Sequence, residues 1–238
     1  MTKIVLDYDG TLHQCMVIYE PAVCHVLRLL EEENGIKIPV PTTEELSRWI
    51  GVSGVRFWDN LIPSITPEVK EKCYSLVGKH MCISIAEGRA QLYPGALEVL
   101  QEMKQAGYTL IFLSNCSRAY MDAHRDYFEL DKYFDAFYCA EDYGNIPKFK
   151  IFDSIAADFP EHTEHTGEPS PCVEKFVIVG DTEKDYEVAC MHNLPFIGCT
   201  YGYGLVENFP ENAQLCTSVC EIPSAVQHVC QPPKRKEK

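Results

Sequence analysis

The chain has 238 residues, of which 46% are hydrophobic and 24% charged, and its formal net charge is −14 at pH 7. This composition is typical of a globular protein and excludes a collagen-like, coiled-coil or disordered chain. The length suits one large domain, or one domain with a sizeable insertion. Because nucleic-acid binding depends on clustered Lys and Arg, the acidic balance argues against nucleic acid as a partner.

The sequence carries no sign of a membrane or of secretion. No apolar run reaches the roughly 18 residues of a membrane-spanning helix, so we expect no membrane partner. Asp7 lies where a signal peptide has its apolar core, which favours a cytoplasmic protein. The 12 cysteines are then expected to be buried thiols. The tightest group of metal-ligand types does not match a standard zinc spacing, so we expect ordinary packing there. This group is Cys216, Cys220, His228 and Cys230.

Short apolar runs alternate with amphipathic stretches along most of the chain. Five of these runs are almost continuously hydrophobic, as parallel strands buried on both faces require. They cover residues 3–6, 108–113, 134–138, 175–179 and 196–199. Strands that alternate with helices imply right-handed crossovers between parallel neighbours. The sequence therefore predicts an α/β fold with a doubly wound, Rossmann-like parallel sheet.

The interval 15–90 breaks this alternation, because it has helical periodicity and no convincing buried strand. Two apolar stripes at helical spacing run through it. They consist of Ala22, Val26, Leu27, Leu29 and Leu30, and of Val69, Cys73, Leu76, Val77 and Met81. We predict a helical cap domain over residues 15–90, inserted into a core made of residues 1–14 and 91–238. The proline-rich stretch 160–171, with His162 and His165, is expected to be a solvated loop.

Polar side chains follow three of the predicted strands, and one opens a predicted helix. Asp7 and Asp9 end the first strand, two residues apart, so their carboxylates are expected to point to one place. Ser114 with Asn115 follows the second strand, at a helix start that favours anions. Asp181 and Asp185 follow the fourth strand, and Lys148 opens a helix where a cation is unfavourable. Ligands bind outside the carboxyl ends of strands in such sheets, which predicts one shared crevice.

These motifs closely resemble those of the haloacid dehalogenase-like hydrolase superfamily, over nearly the whole chain. The four matching segments are 7–12, Ser114 with Asn115, Lys148, and 180–185. The helical insertion is similar to the mobile cap of this family. Residues 200–204 resemble a segment of its phosphoglycolate phosphatase-like members. The chain as a whole resembles the phosphoglycolate phosphatase and β-phosphoglucomutase-like subfamily, which has a helical cap. The third motif departs from the usual Lys-Pro, and the nearby Lys150 remains an alternative to Lys148.

The resemblance implies a phosphohydrolase that uses Mg²⁺ and acts on a small phosphorylated metabolite. Asp7 would be the nucleophile and form an aspartyl-phosphate. Asp9 would protonate the leaving oxygen and then activate water. The metal would be held by Asp7, Asp181 and the backbone carbonyl of Asp9, with Asp185 in support. The phosphoryl oxygens would be bound by Ser114, Asn115 and Lys148.

Two alternatives remain, and the sequence does not identify the cap residues that select the substrate. A phosphomutase of the same fold would share every core residue but retain an intermediate that bears two phosphates. A non-catalytic binding relative would normally have lost at least one core carboxylate, and all of them are present here. In the cap, Arg56 is expected to reach a polar or anionic part of the substrate beyond its phosphate, since a guanidinium pairs well with a carboxylate or a second phosphate. The alternative is a solvated surface charge at Arg56. Trp49, Phe57 and Trp58 are expected to pack inside the cap. The sequence identifies neither the substrate nor the oligomeric state.

Overall fold

Six parallel strands form the centre of the fold in the computed structural model, which describes residues 2–35, 37–50, 54–160 and 176–230. The strands are β1 (Lys3–Leu6), β2 (Thr109–Ser114), β3 (Ala136–Cys139), β4 (Phe176–Gly180), β5 (Phe196–Cys199) and β6 (Gln214–Cys216). Their order in the sheet is β3-β2-β1-β4-β5-β6. The chain thus winds outward from β1 in both directions, which confirms the predicted doubly wound α/β fold.

Helices cover both faces of this sheet, and four helices lie in the described part of the interval 15–90 after β1. They are α1 (Met16–Asn34), α2 (Thr43–Ser47), α3 (Gly54–Leu61), α4 (Pro67–Ala86), α5 (Ala96–Gln105), α6 (Arg118–Phe128), α7 (Lys148–Asp158), α8 (Glu183–His192) and α9 (Ile222–Cys230). Alternate residues of β1 enter different cores. Ile4 and Leu6 pack with α5, α6 and α9, whereas Val5 packs with α7 and α8. This alternation explains why β1 is hydrophobic at every position.

The register aligns the carboxyl ends of the central strands. Leu6, the last residue of β1, pairs with Phe112 on β2 and with Val179 on β4. The backbone N–H of Asp7 then donates to the carbonyl of Val179 at 2.9 Å. The first residues after β1, β2 and β4 therefore lie at one edge of the sheet, which is where the sequence places its polar motifs.

The interval 15–90 contributes α1 to α4 and a hydrophobic cluster of its own. Both predicted stripes supply buried residues to this cluster, among them Val26, Cys73 and Val77. Phe57 and Trp58 are buried in it, and Trp49 packs against it. Thr66 caps α4 by accepting a hydrogen bond from the Val69 N–H, with Pro67 in the first turn. The division of the chain into a core and a cap stays a prediction.

Some sequence predictions fall on residues that the structure does not describe. The histidines at 162 and 165 lie outside the described residues, as does the side chain of Arg56.

Cys216, from the group considered for zinc, is fully buried in the core beside β5. Within the described ranges, the helices are too short or too polar to cross a membrane.

Candidate active site

The loop after β1 folds back on itself through one carbonyl oxygen. The Tyr8 carbonyl accepts hydrogen bonds from the backbone N–H groups of Thr11, Leu12 and His13 at 3.2, 2.8 and 2.9 Å. Gly10 has a φ of +92°, and a Cβ there would lie 2.1 Å from Asp181 Oδ2. Glycine is needed for both reasons, the left-handed backbone and the close approach. The turn brings the loop directly against the end of β4.

Three buried carboxylates meet at this edge of the sheet. Asp7, Asp181 and Asp185 each offer an oxygen, and these oxygens all lie within 4.8 Å of one another. The three residues are 7%, 0% and 2% exposed. The Asp9 carboxylate is not a member of this group, although the sequence predicts that it points to the same place as Asp7. The partners of Asp7 come instead from the end of β4 and the first turn of α8.

Lys148 supplies a cation to this group. Its Nζ donates to Asp7 Oδ1 at 2.5 Å and to Asp185 Oδ1 at 2.7 Å. The side chain is 4% exposed, whereas Lys150 is exposed and lies near the ring of Phe149. Of the two lysines that the sequence leaves open, Lys148 is the one that reaches the carboxylates. Its unfavourable position at the start of α7 is therefore explained by the ion pairs it makes.

The negative charges outnumber the positive charge, and the pKa values reflect this. Burial raises the pKa of Asp7 well above its ordinary value, and Asp185 raises it further while Lys148 opposes both. Burial and Asp185 likewise raise the pKa of Asp181 to about 7. For Lys148, burial lowers the pKa, but Asp185 and Asp7 outweigh it and raise the pKa above its ordinary value. A further cation at the three carboxylates would relieve this repulsion.

Fixed donors hold two of the carboxylates in place. The Thr182 N–H and hydroxyl both donate to Asp185 Oδ2, at 3.0 and 2.8 Å. The Tyr203 N–H donates to Asp181 Oδ2 at 2.7 Å. The chain approaches closely here, because a Cβ on Gly204 would lie 1.9 Å from the carbonyl oxygen of Asp181. This close approach to Asp181 explains why the residues on both sides of Tyr203 are glycines. The sequence indicated this segment only through its resemblance to the family.

Asp9 is held separately, by residues that the sequence did not single out. Its Oδ1 lies 2.8 Å from His13 Nδ1 and accepts a hydrogen bond from the Tyr120 hydroxyl at 2.8 Å. Tyr120 lies on α6, 111 residues along the chain. Local spacing gives no signal for such a contact. The position of His13, four residues after Asp9 within the same tight loop, is the one feature of the sequence that could have drawn attention.

Two of the three predicted phosphate-binding residues lie at the end of β2. Ser114 is 2% exposed and is the last residue of that strand, which neighbours β1 in the sheet. Asn115 follows it and is partly exposed. Ser117 then caps α6 by accepting a hydrogen bond from the Tyr120 N–H. Ser114 and Asn115 thus lie between a strand end and a helix start, at the same edge as Asp7.

A family model for haloacid dehalogenase-like hydrolases matches residues 2–189. The chain belongs to the haloacid dehalogenase-like hydrolase family. The resemblance seen in the motifs, and with it the prediction of an enzyme of this hydrolase family, is confirmed. Among curated proteins, no sequence matches the chain significantly.

Solved structures of similar fold cover almost the whole chain. A predicted phosphatase from Clostridium acetobutylicum has a TM-score of 0.74 at 19% identity, over 95% of this chain and 98% of that one. A predicted phosphoglycolate phosphatase from Haemophilus somnus gives the same four values. CbbY from Rhodobacter sphaeroides, in complex with phosphate, has a TM-score of 0.71 at 18% identity, over 95% and 99%. At these identities the similarity is one of fold.

Proposed function

We propose that the chain is a Mg²⁺-dependent phosphatase that hydrolyses a small phosphorylated metabolite through an aspartyl-phosphate on Asp7. The observation that carries this proposal is the buried group of Asp7, Asp181 and Asp185, with Lys148 bound to its first and last members. The group lies at the carboxyl ends of parallel strands, where such folds bind ligands. Family membership supports a hydrolase at this site.

The residues fit a magnesium ion. Mg²⁺ is a hard cation that prefers oxygen ligands and binds one or two carboxylates together with substrate phosphate. Asp7 and Asp181 would hold it through their carboxylates and Asp9 through its backbone carbonyl, with Asp185 in support. When bound, it neutralises charge on the phosphoryl group and orients it. The three buried carboxylates have one cation among the described residues in contact with them, Lys148, so the electrostatic balance favours a second.

The chemistry on this chain has two steps. In the first, a carboxylate oxygen of Asp7 attacks phosphorus, the bond to the ester oxygen breaks, and Asp9 gives that oxygen a proton. In the second, Asp9 takes a proton from water, which attacks phosphorus and releases inorganic phosphate and free Asp7. Ser114, Asn115 and Lys148 bind the phosphoryl oxygens, and Lys148 also keeps Asp7 oriented. Positioning and charge stabilisation provide most of the rate in such reactions.

A small phosphorylated metabolite is the substrate class that we propose. The solved structures support it: CbbY from R. sphaeroides has been captured with phosphate and, as a variant, with xylulose-1,5-bisphosphate. The H. somnus neighbour is a predicted phosphoglycolate phosphatase. We further propose that residues 15–90 form the cap that selects the substrate. The Gln14 N–H donates a hydrogen bond to the carbonyl of Gln91 at 2.9 Å. The insertion therefore begins and ends at one place, between residues 14 and 91, which we call the neck.

The test is release of inorganic phosphate from p-nitrophenyl phosphate, followed by a panel of phosphorylated sugars, phosphoglycolate and nucleotides. Turnover should require Mg²⁺ and should fall to background in Asp7→Asn, which keeps the shape of the side chain but removes the attacking charge. Thermal unfolding of the variant checks that the fold is kept. Residual activity within about tenfold of the parent, which is about 1.4 kcal/mol in the barrier, would refute the role of Asp7. Conversion of a substrate into an isomer that carries the phosphate on another carbon, without release of inorganic phosphate, would instead identify a phosphomutase.

A further inference from the structure

A buried cluster of polar rings lies directly behind Asp9. His13, Tyr8 and His124 are fully buried, and Tyr120 is 5% exposed. The rings of His13 and His124 are 4.4 Å apart, and the ring of Tyr8 stacks on that of His13 at 5.3 Å. The Tyr8 hydroxyl lies 2.9 Å from His124 Nδ1. The cluster therefore joins the first loop of the site to α6 through side-chain contacts.

Both contacts from this cluster to Asp9 go to the same carboxylate oxygen. His13 Nδ1 and the Tyr120 hydroxyl each lie 2.8 Å from Oδ1, and they are 3.2 Å from each other. The two groups of this cluster that contact Asp9 thus both engage Oδ1. Since a carboxylate oxygen accepts hydrogen bonds, the short contact from His13 Nδ1 to Oδ1 requires the tautomer of His13 that carries its proton on Nδ1. Two contacts at Oδ1 leave Oδ2 as the oxygen of Asp9 that this cluster does not engage.

The exposed fractions of the Asp9 and His13 side chains agree with this arrangement. The Asp9 side chain is 20% exposed, whereas that of His13 is fully buried. A carboxylate tied through Oδ1 to buried groups presents its other oxygen on the side away from them.

Packing alone does not account for His13. Its Nε2 is buried and has no hydrogen-bond partner among the described residues, and the same holds for His124 Nε2. A buried polar atom without a partner is unfavourable, and an apolar side chain would fill this space without that cost. The contacts that a histidine adds at this position are those with Asp9 and Tyr120. The site thus keeps a polar ring where packing would favour an apolar one.

We propose that His13 and Tyr120 are positioning residues, which fix the Asp9 carboxylate so that Oδ2 faces the oxygen of the leaving group. This inference rests on the proposed phosphatase function and adds two residues to it. In this role His13 and Tyr120 act through Asp9 and not on the substrate itself. They restrict the rotation of Asp9, and a proton donor held in the correct geometry contributes more to the rate than a freely rotating one.

The test compares two aryl esters of similar shape, p-nitrophenyl phosphate and phenyl phosphate. Nitrophenolate departs without being protonated, whereas phenolate needs a proton from Asp9. Since kcat/KM reports the steps up to transfer of the phosphoryl group, misplacement of Asp9 should lower it selectively for phenyl phosphate. We expect Tyr120→Phe and His13→Leu to reduce kcat/KM about tenfold more for phenyl phosphate than for p-nitrophenyl phosphate. His13→Asn, whose amide can donate from a position close to Nδ1, should restore part of the loss.

Two controls separate positioning from folding. Tyr138→Phe also removes a tyrosine hydroxyl that donates to a carboxylate, Asp158 at 2.7 Å, but on the opposite face of the sheet, and it should leave the ratio between the two esters unchanged. In an Asp9→Asn background, Tyr120→Phe should have no further effect on that ratio. Tyr120→Phe removes a single oxygen, so it gives a result even where His13→Leu does not fold.

The outcomes distinguish the inference from the function on which it rests. If the parent hydrolyses neither these esters nor any compound of the substrate panel, the proposed function fails and the inference fails with it. If the parent is active and Tyr120→Phe lowers kcat/KM equally for both esters, or raises it, Asp9 is not positioned by this cluster while the phosphatase remains. A selective loss that persists in the Asp9→Asn background would equally overturn the inference.

Discussion

Replacing Lys148 with methionine should destabilise the protein strongly when no metal is bound. Methionine keeps most of the volume but leaves Asp7 and Asp185 without their cation. All three side chains are at most 7% exposed, so water cannot replace the lost contacts. Removal of one partner from a buried ion pair typically costs about 3–5 kcal/mol.

Proton uptake limits this loss and makes it depend on pH. Without Lys148, one carboxyl of the group can bind a proton instead of remaining charged. For a group with an ordinary pKa of 3.8, that costs about 4 kcal/mol at pH 7 and about 2 kcal/mol at pH 5, at 1.36 kcal/mol per pH unit. The sign follows from the raised pKa of the folded state: the destabilisation is present at high pH and is lost as the pH falls. The difference between variant and parent should therefore shrink towards pH 5.

Urea unfolding in the presence of a chelator, at pH 7 and at pH 5, measures both quantities. The matched control is Lys104→Met, since Lys104 also binds a carboxylate, Asp135, but the two side chains are 28% and 36% exposed. That variant should lose less than about 1 kcal/mol, with little change between the two pH values. The reasoning is refuted if Lys148→Met loses no more free energy of unfolding than Lys104→Met, or if its loss grows as the pH falls.

Three further predictions test the metal, the loop around Tyr203 and the insertion. Mg²⁺ at a hundred times its Kd should stabilise the parent by about 2.7 kcal/mol in thermal scans, and equal melting with a chelator would contradict a magnesium site. Gly204→Ala places a Cβ 1.9 Å from the Asp181 carbonyl and should weaken Mg²⁺ binding in titrations, whereas Gly78→Ala, with open space around it, should not. Trp58→Ala removes a side chain that is 1% exposed and should cost about 3–5 kcal/mol in urea unfolding; a loss below 1 kcal/mol would place Trp58 outside the core of the insertion.

The fold was largely predictable because its strands are buried on both faces. Two of the predicted strands, 3–6 and 196–199, match the observed bounds, and three others differ by one or two residues at each end. The strand that the sequence missed is β6, Gln214–Cys216. It has three residues, lies at the edge of the sheet and is partly exposed, so it lacks the continuous hydrophobic run that identifies the central strands.

The site was predictable where residues follow strands and was not predictable where side chains meet through packing. Asp7 and Asp181 lie at one edge because the strands before them are paired in register. The grouping within the site is different from what spacing suggests, since Asp7 meets Asp181 and Asp185 while Asp9 turns towards His13 and α6. That turn depends on hydrogen bonds inside a tight loop and on the face that α6 presents. Neither leaves a periodic pattern in the sequence.

The loop that carries Asp9 leads directly into the insertion, and this connects the proposed chemistry to the proposed cap. His13, which contacts Asp9, forms a β-bridge with Leu92, and the next residue is bonded to the carbonyls of residues 91 and 92. Met16, the first residue of α1, donates its N–H to the hydroxyl of Tyr203 at 3.2 Å, and the N–H of Tyr203 donates to Asp181. A rotation of the insertion about this neck would act on Asp9 through His13 and on Asp181 through Tyr203. The contacts of His13 with Asp9 and of Tyr203 with Asp181 are short, at 2.8 and 2.7 Å, and partly buried. A movement of the proposed cap would therefore change the geometry of both carboxylates.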